Sequence, residues 1–319
     1  MSRVRILSID GGGVRGIIPA MVLAELEERS GRRVPELFDL VAGTSTGGIL
    51  ALGLTCPDPA EPTRARYRAR DMVELYDVHA ATIFHRSALR RLPGAELLEE
   101  RYSADGLVRL LEEYFGPARL KDALTRVLLT AYELERRTAF FFKSWKAARD
   151  PDYDFSLVDV ARATAAAPTY FEPHRIDAGN DYFSLVDGGV FANNPAMCAL
   201  AEAFRGAAEG EVPEVVLLSL GTGELTRRIR HEDATGFGLA RWARPIISVM
   251  MDGVSDSVRY QCDQILGANH FRFQARLDEG ADDLDDASRE NMRALRLLGE
   301  RMIHAEPAKM DRLIEALVR

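Results

Sequence analysis

The chain has 319 residues, 47% of them hydrophobic, which is enough for a packed core and favours one α/β domain over two small ones. Its 41 basic and 49 acidic residues give a formal net charge of -8, whereas a nucleic-acid-binding domain carries a strongly basic surface. We therefore expect no nucleic-acid partner. The three cysteines are far apart and outside any Cys-X-X-Cys spacing, which argues against a disulfide framework or a thiolate zinc site: Cys56, Cys198 and Cys262.

Secretion and membrane insertion are not indicated. The first residues run directly into an apolar strand, without the apolar run and small-residue cleavage site of a secretory signal. The uncharged stretch from Leu40 to Pro57 approaches the length of a short membrane span, but the glycines and threonines of residues 43–48 favour a strand, a tight turn and a helix. We expect a cytoplasmic protein that can also associate with a membrane surface.

Two successive units of strand, glycine turn and helix open the chain. Residues 4–9 predict a short buried strand, and apolar residues at helical spacing predict a helix over 17–29. The second unit consists of a strand over 38–42, a turn over 43–47 and a helix that continues through Leu54. Such units predict parallel strands joined by right-handed crossover helices, and hence an α/β sheet.

The rest of the chain also alternates between strands and helices. Further strands are predicted at 126–134, 140–143, 215–220 and 271–274, and further helices at about 65–79, 104–114, 156–166, 195–205 and 287–304. Ser156 with Asp159 is a helix-start signal. The stretch from Leu277 to Asp286 is strongly acidic, which predicts a solvated loop. We expect a single domain over 1–319, with a motif-bearing core at about 4–225 and a helical part at about 238–319.

A Gly-X-Ser-X-Gly motif, Gly43-Thr44-Ser45-Thr46-Gly47, lies between a predicted strand and a predicted helix. A serine nucleophile needs a turn sharp enough to push its hydroxyl out of the sheet, and flanking glycines relieve the crowding of that turn. The same pattern also occurs in ordinary strand-to-helix turns. Its strand and helix context makes Ser45 the candidate nucleophile.

The loop Asp10-Gly11-Gly12-Gly13-Val14-Arg15-Gly16 fits two functions. Residues 11–16 match Gly-X-Gly-X-X-Gly, which is typical of dinucleotide binding, but that function needs an acidic residue at the end of the second strand, and Asp39 falls at its start. Alternatively, the backbone N–H groups bind the oxyanion of an acyl-transfer intermediate. Arg15 is either a solvated surface charge or a source of positive potential in this loop.

An aspartate before two glycines, Asp187-Gly188-Gly189, is most often part of an ordinary turn. A serine hydrolase, however, needs a base within hydrogen-bond reach of its nucleophile. None of the histidines has a sequence context typical of a catalytic triad, and His174 is kept as a minor candidate. The six are His79, His85, His174, His231, His270 and His304. Because no histidine has such a context, Asp187 gains weight as a possible base.

These three motifs, in this order, resemble those of the patatin-like phospholipases. The segment Ala161–Phe171 is similar to the helix-to-proline segment before that family's aspartate, and Ser219-Leu220-Gly221-Thr222-Gly223 resembles a strand-end turn that often follows it. The resemblance covers roughly residues 4–225. It implies a central, mostly parallel sheet flanked by helices in a three-layer sandwich.

The resemblance also implies the roles of the site residues. Ser45 attacks an ester carbonyl while Asp187 takes its proton, without a histidine, and water then hydrolyses the acyl-enzyme. No metal or organic cofactor is implied. The oxyanion hole is expected at Gly11, Gly12 and Gly13 with Arg15, and the supporting glycines are Gly16, Gly43, Gly47, Gly188 and Gly189.

The function expected from this resemblance is that of a serine lipid acyl hydrolase of the phospholipase A or lysophospholipase type, acting on membrane phospholipid or another acyl lipid. Acyl transfer to an acceptor other than water uses the same site. An alternative is a bacterial antiviral effector that a cyclic dinucleotide activates, for which Arg227, Arg228 and Arg230 are either phosphate contacts or part of a solvated loop. A nonenzymatic nucleotide-binding protein is the least favoured alternative.

A short segment, residues 83–92, mixes apolar positions with Arg86, Arg90 and Arg91. This composition suits docking on an anionic membrane surface. A packed helix end with solvated arginines explains the same pattern and is the commoner structure.

Overall fold

The computed structural model describes residues 3–83, 102–179, 181–207, 211–224, 229–242, 245–277 and 283–319. The strands in these ranges are β1 (Arg3–Ile9), β2 (Leu40–Thr44), β3 (Arg126–Glu133), β4 (Thr138–Lys143), β5 (His174–Ala178), β6 (Asp181–Asp187), β7 (Glu214–Leu220) and β8 (His270–Phe273). They form one sheet of order β5-β6-β3-β2-β1-β7-β8, with β4 paired to β3 outside this path. The run β3-β2-β1-β7-β8 is parallel, and the other pairings are antiparallel. The predicted mostly parallel α/β sheet is confirmed.

Helices cover both faces of this sheet. They are α1 (Ile17–Ser30), α2 (Val34–Leu37), α3 (Thr46–Thr55), α4 (Ala69–Ile83), α5 (Asp105–Phe115), α6 (Ser144–Ala147), α7 (Leu157–Thr164), α8 (Gly189–Ala192), α9 (Ala196–Arg205), α10 (His231–Thr235), α11 (Leu239–Trp242), α12 (Pro245–Leu266), α13 (Arg289–Ala305) and α14 (Pro307–Val318). Because side chains alternate along a strand, Leu7 and Ile9 of β1 join the core under α1 and α3, whereas Ile6 joins the core under α9. The result is the expected sandwich of helices, sheet and helices.

The predicted elements agree with most of the observed ones. The helix predicted from residue 65 begins instead at Ala69, because the Asp71 carboxylate accepts a hydrogen bond from Arg68 N–H at 2.7 Å and Ala65 pairs with Pro57 in an isolated bridge. The predicted cap of α7 is confirmed, since the side chain of Ser156 accepts from the third N–H of the helix. The hairpin of β5 and β6 was not predicted, and α12 falls within the helical part expected at about 238–319 but was not predicted as a separate helix.

The C-terminal part, for which a helical structure was expected, also completes the sheet. Its strand β8 pairs in parallel with β7. Helix α14 reaches back to the sheet through Lys309, which donates to the Arg272 carbonyl of β8, and through the Leu317 carbonyl, which accepts from Arg5 of β1 at 3.2 Å. Helix α14 therefore contacts both the edge strand β8 and the inner strand β1.

Two predicted surface features lie largely outside the described residues. Of the candidate membrane-docking segment, only Ile83 is described, at the end of α4. Of the three loop arginines, only Arg230 is described; it is exposed and directly precedes α10. In the described ranges, no helix combines the length and the apolar composition needed to cross a bilayer.

Candidate active site

Ser45 occupies the turn between β2 and α3 with a strained backbone. Its φ of 56° and ψ of -123° lie in a region that a non-glycine residue adopts only where the surrounding structure enforces it. A side chain at Gly43 would overlap the backbone of Gly47, and a side chain at Gly47 would overlap the Ile9 carbonyl. Close packing thus requires both glycines of the motif, as expected for a sharp turn that presents a serine.

Buried threonines hold this turn in place. The Ser45 N–H donates to Thr164 Oγ1 at 3.0 Å, and the Thr164 hydroxyl donates to the Thr130 carbonyl at 2.7 Å. The Thr44 hydroxyl donates to the Ala192 carbonyl at 2.7 Å and lies 2.7 Å from Thr130 Oγ1. These hydrogen bonds tie the end of β2 to β3, α7 and α8, so the strained backbone of Ser45 is fixed from several sides.

The register of β3 brings Asp187 close to Ser45. Thr44, the last residue of β2, pairs with Thr130, and Asp187, the last residue of β6, pairs with the following residue, Ala131. Because β2 is parallel and β6 antiparallel to β3, the two strands approach each other along one edge of β3 and both end there. The residues at their ends are therefore neighbours.

The Asp187 carboxylate interacts with the Ser45 hydroxyl and accepts a hydrogen bond, at 2.7 Å, from Gly189 N–H. It is only 5% exposed. Burial disfavours the charged form and raises the pKa of Asp187 to about 6, although the interactions with Ser45 and with Gly189 N–H act in the opposite direction. A carboxylate with this pKa is a stronger base than a solvated one and is still ionised at neutral pH.

The glycine loop between β1 and α1 is fixed at both ends by backbone hydrogen bonds. Gly11 N–H donates to the Asn193 carbonyl at 3.0 Å, and Val14 N–H donates to the Leu284 carbonyl at 2.9 Å. The Leu284 contact comes from the acidic segment for which a solvated loop was expected. Leu284, one of the described residues of this segment, instead packs against the glycine loop, where a side chain at Gly13 would overlap the Leu284 carbonyl.

Two N–H groups of this loop remain for a ligand. No described residue accepts a hydrogen bond from the N–H of Gly12 or Gly13. A Cβ on Gly11 would lie 3.3 Å from the Ser45 Cβ, so the start of the loop lies beside the serine. Because the Gly11 N–H is engaged elsewhere, the structure narrows the candidate oxyanion donors from three glycines to Gly12 and Gly13.

Arg15 is buried beneath the loop and is only 7% exposed. Its Nε donates to the Gly12 carbonyl at 3.3 Å. Burial raises the pKa of Asp252 on α12, and the positive charge of Arg15 partly offsets this effect. This burial contradicts the alternative of a solvated surface charge and places the positive charge of Arg15 next to the loop.

The histidine kept as a minor candidate lies in a different contact. His174 Nε2 is 3.0 Å from Asp159 Oδ1, which links β5 to the first turn of α7. Within the described ranges, no hydrogen bond joins a histidine to Ser45 or Asp187. The other described side-chain contacts are His79 with the Tyr114 ring, His270 with Asp263, and His304 with the Glu300 carbonyl.

Ribose and metal binding find no support in the described part of the chain. Asp39, the acidic residue nearest the second strand, accepts from Arg5 at 2.7 and 3.0 Å, and this pairing occupies its carboxylate. No group of three or more histidine, cysteine, aspartate or glutamate side chains in the described residues is arranged to hold a metal ion.

Sequence reasoning assigned no role to three residues that hold the site together. Asn193 supplies the carbonyl that binds Gly11 N–H, and the Thr222 hydroxyl donates to the Gly11 carbonyl at 2.6 Å. Arg272 donates to both Asp10 carboxylate oxygens, at 3.0 and 2.6 Å. Thr222 lies within the motif segment Ser219–Gly223, so its position was a usable signal, whereas none of the motifs contains Asn193 or Arg272.

The comparisons with known proteins identify the family. The model of the patatin-like phospholipase family matches residues 7–200. Patatin-like protein 1 of Arabidopsis thaliana is 32% identical over 350 residues, covering 97% of this chain and 84% of the relative. A potato (Solanum tuberosum) protein named "Probable inactive patatin-3-Kuras 1" is 32% identical over 330 residues, covering 94% and 86%. The crystal structure of VipD from Legionella pneumophila is 13% identical, covers 94% of this chain and 67% of that chain, and has a TM-score of 0.37.

The chain belongs to the patatin-like phospholipase family. This membership supports a lipid acyl hydrolase in general terms. Since one relative is named inactive, the site must be judged on the residues of this chain.

Proposed function

We propose that this protein is a serine lipid acyl hydrolase of the phospholipase A or lysophospholipase type, in which Ser45 is the nucleophile and Asp187 the base. The observation that carries the proposal is that the ends of β2 and β6 meet on β3, where the Ser45 hydroxyl interacts with the buried Asp187 carboxylate. A nucleophile at a strained turn, paired with a base of raised pKa, is the arrangement that covalent acyl transfer requires.

The cycle follows from these positions. The Ser45 oxygen attacks the ester carbonyl carbon while Asp187 accepts the hydroxyl proton, and the N–H groups of Gly12 and Gly13 stabilise the negative charge on the carbonyl oxygen. The proton passes to the departing alcohol or lysolipid as the acyl-enzyme forms. Asp187 then takes a proton from the water that attacks the acyl-enzyme, and returns it to the Ser45 oxygen as the fatty acid leaves.

An apolar surface beside the dyad supports an acyl-lipid substrate. Val190 on α8, three residues after Asp187, is 44% exposed. On α12, Ile246, Val249 and Met250 are also exposed, while Met251 of the same helix lies against Gly189. Exposed apolar side chains next to a polar site suit a substrate with a fatty-acyl chain and a polar ester.

The test uses vesicles of phosphatidylcholine, a soluble short-chain ester and a fluorophosphonate probe. The wild-type protein should release fatty acid and be labelled at Ser45. Ser45→Ala should lose hydrolysis and labelling together, with an unchanged far-UV circular dichroism spectrum. The matched control is Ser30→Ala at the end of α1, which should behave like the wild type.

Labelling of another serine in Ser45→Ala, or hydrolysis that survives this change, would overturn the assignment. Product analysis from the same vesicles defines the acyl position and shows whether water or an added alcohol is the acceptor. A parallel sample with an added cyclic dinucleotide tests the activated-effector alternative. That alternative predicts fatty-acid release only when the dinucleotide is present.

A further inference from the structure

The Thr222 hydroxyl fixes the direction of one peptide group in the glycine loop. Thr222 lies in the turn after β7, is only 3% exposed, and donates to the Gly11 carbonyl at 2.6 Å. The carbonyl oxygen and the N–H of a trans peptide point in opposite directions. This hydrogen bond therefore directs the Gly12 N–H, which belongs to the same peptide, away from Thr222.

The turn that carries Thr222 is itself held in place. Gly223 N–H donates to Gln274 Oε1 at 3.0 Å, and a side chain at Gly221 would overlap the Gln274 side chain. A Cβ on Gly12 would overlap the Thr222 hydroxyl. The turn and the loop are therefore closely packed, and the hydrogen bond from Thr222 to the Gly11 carbonyl sets the direction of the Gly12 N–H.

We propose that Thr222 is a positioning residue of the oxyanion hole, which acts on the reaction through the Gly12 N–H. The inference rests on the proposed function of Ser45 and Asp187. A donor already aligned with the developing oxyanion stabilises the tetrahedral intermediate without reorganising during the reaction. Removing the Thr222 hydroxyl leaves the donor present but free to turn, so the loss should affect the transition state more than substrate binding.

The direct test is Thr222→Val, which keeps the shape of the side chain and removes the hydroxyl. Loss of a complete oxyanion donor costs about 100- to 1,000-fold in kcat. We expect a smaller decrease, about 10- to 100-fold, on a soluble ester with KM nearly unchanged, because the donor is misdirected rather than absent. Thr222→Ser should restore most of kcat.

A trifluoromethyl ketone inhibitor gives an independent readout. Ser45 adds to its carbonyl carbon while Asp187 takes the hydroxyl proton, the carbonyl electron pair moves to oxygen, and the adduct carries the oxyanion that Gly12 binds. The inhibition constant should therefore weaken in Thr222→Val by about the same factor as kcat, and recover in Thr222→Ser. If the role of Thr222 were purely structural, the inhibition constant and kcat would not change by the same factor.

The matched control is Thr125→Val. The Thr125 hydroxyl also donates to a backbone carbonyl, that of Phe38, at 2.9 Å, but just before β3 and so at the opposite end of that strand from the site. It should keep kcat and the inhibition constant. If Thr222→Val does not fold, Thr222→Cys replaces it, because the weaker thiol donor predicts a kcat below that of Thr222→Ser.

Wild-type kcat in Thr222→Val, or a decrease in kcat that the inhibition constant does not follow, would overturn the positioning role. Equal kcat values in the Cys and Ser variants would do the same. The proposed function itself fails on a different result, namely hydrolysis by Ser45→Ala, so the two failures are separable.

Discussion

Arg272 donates two hydrogen bonds to the Asp10 carboxylate, at 2.6 and 3.0 Å, and a third to the Ser219 hydroxyl at 2.8 Å. Asp10 is 2% exposed and directly precedes the glycine loop. Arg272 lies on β8, beyond the matched residues 7–200. A strand without a recognised motif therefore fixes the start of the loop that faces Ser45.

Arg272→Met should destabilise the protein by about 3–5 kcal/mol, because it leaves the Asp10 carboxylate buried without its cation. The double variant Asp10→Asn, Arg272→Met should recover part of this loss, since it removes both charges. Urea unfolding measures both. Arg259→Met, which breaks an exposed pair with Asp256, should change the free energy of unfolding by less than about 1 kcal/mol. Equal losses in the single and double variants would contradict a strongly coupled pair.

Two glycines of this chain should respond to alanine in opposite ways. Gly47→Ala should unfold or strongly destabilise the protein, because its methyl group would overlap the Ile9 carbonyl. Gly253→Ala in α12 meets open space and should stabilise the protein by about 0.5–1 kcal/mol, the difference in helix propensity. Thermal melting measures the unfolding midpoint of each variant relative to the wild type. Equal shifts in the two variants would contradict the prediction.

The sequence allowed the α/β sheet and the turn around Ser45 to be predicted, because both depend on local patterns. Glycine spacing and apolar runs report directly on backbone geometry and burial. The choice of Asp187 also depended on a local signal, the aspartate before two glycines. What local patterns do not contain is the register of β6 on β3, which places Asp187 beside the end of β2.

The remaining site contacts were beyond local reasoning because they join distant parts of the chain. Thr222 and Gly11 are separated by 211 residues, and Arg272 and Asp10 by 262. The Leu284 contact could not be anticipated because an acidic segment is ordinarily solvated. Here its backbone carbonyl, rather than its charge, makes the contact with Val14.

The pH dependence of hydrolysis should report the pKa of Asp187. Only the carboxylate can accept the Ser45 proton, so kcat/KM for a soluble ester should rise as the pH increases through about 6 and level off above it. His174→Gln is the matched control, because His174 contacts Asp159 and should leave both the midpoint and the plateau unchanged. A midpoint that shifts or disappears in this variant would assign the titration to the histidine.

Asp187→Asn should remove turnover while stabilising the fold at neutral pH. The pKa of Asp187 is raised from 3.8 to about 6, so the folded protein holds this proton more tightly than the unfolded chain does. The resulting stabilisation is fully present below about pH 4 and is lost as the pH rises through about 6. Two pKa units correspond to about 3 kcal/mol. Asparagine stays neutral at every pH, so at pH 7 the variant avoids this loss.

Urea unfolding at pH 4 and pH 7 measures the effect. From pH 4 to pH 7, the free energy of unfolding of Asp187→Asn should increase relative to that of the wild type by up to about 3 kcal/mol. The altered contact with Ser45 adds a cost that is the same at both pH values and does not affect this difference. Asp181→Asn, an exposed change at the other end of β6, should show no increase of this kind. A constant difference between Asp187→Asn and the wild type would show that the carboxyl is not held at a raised pKa, and turnover by the variant would show that Asp187 is not the base.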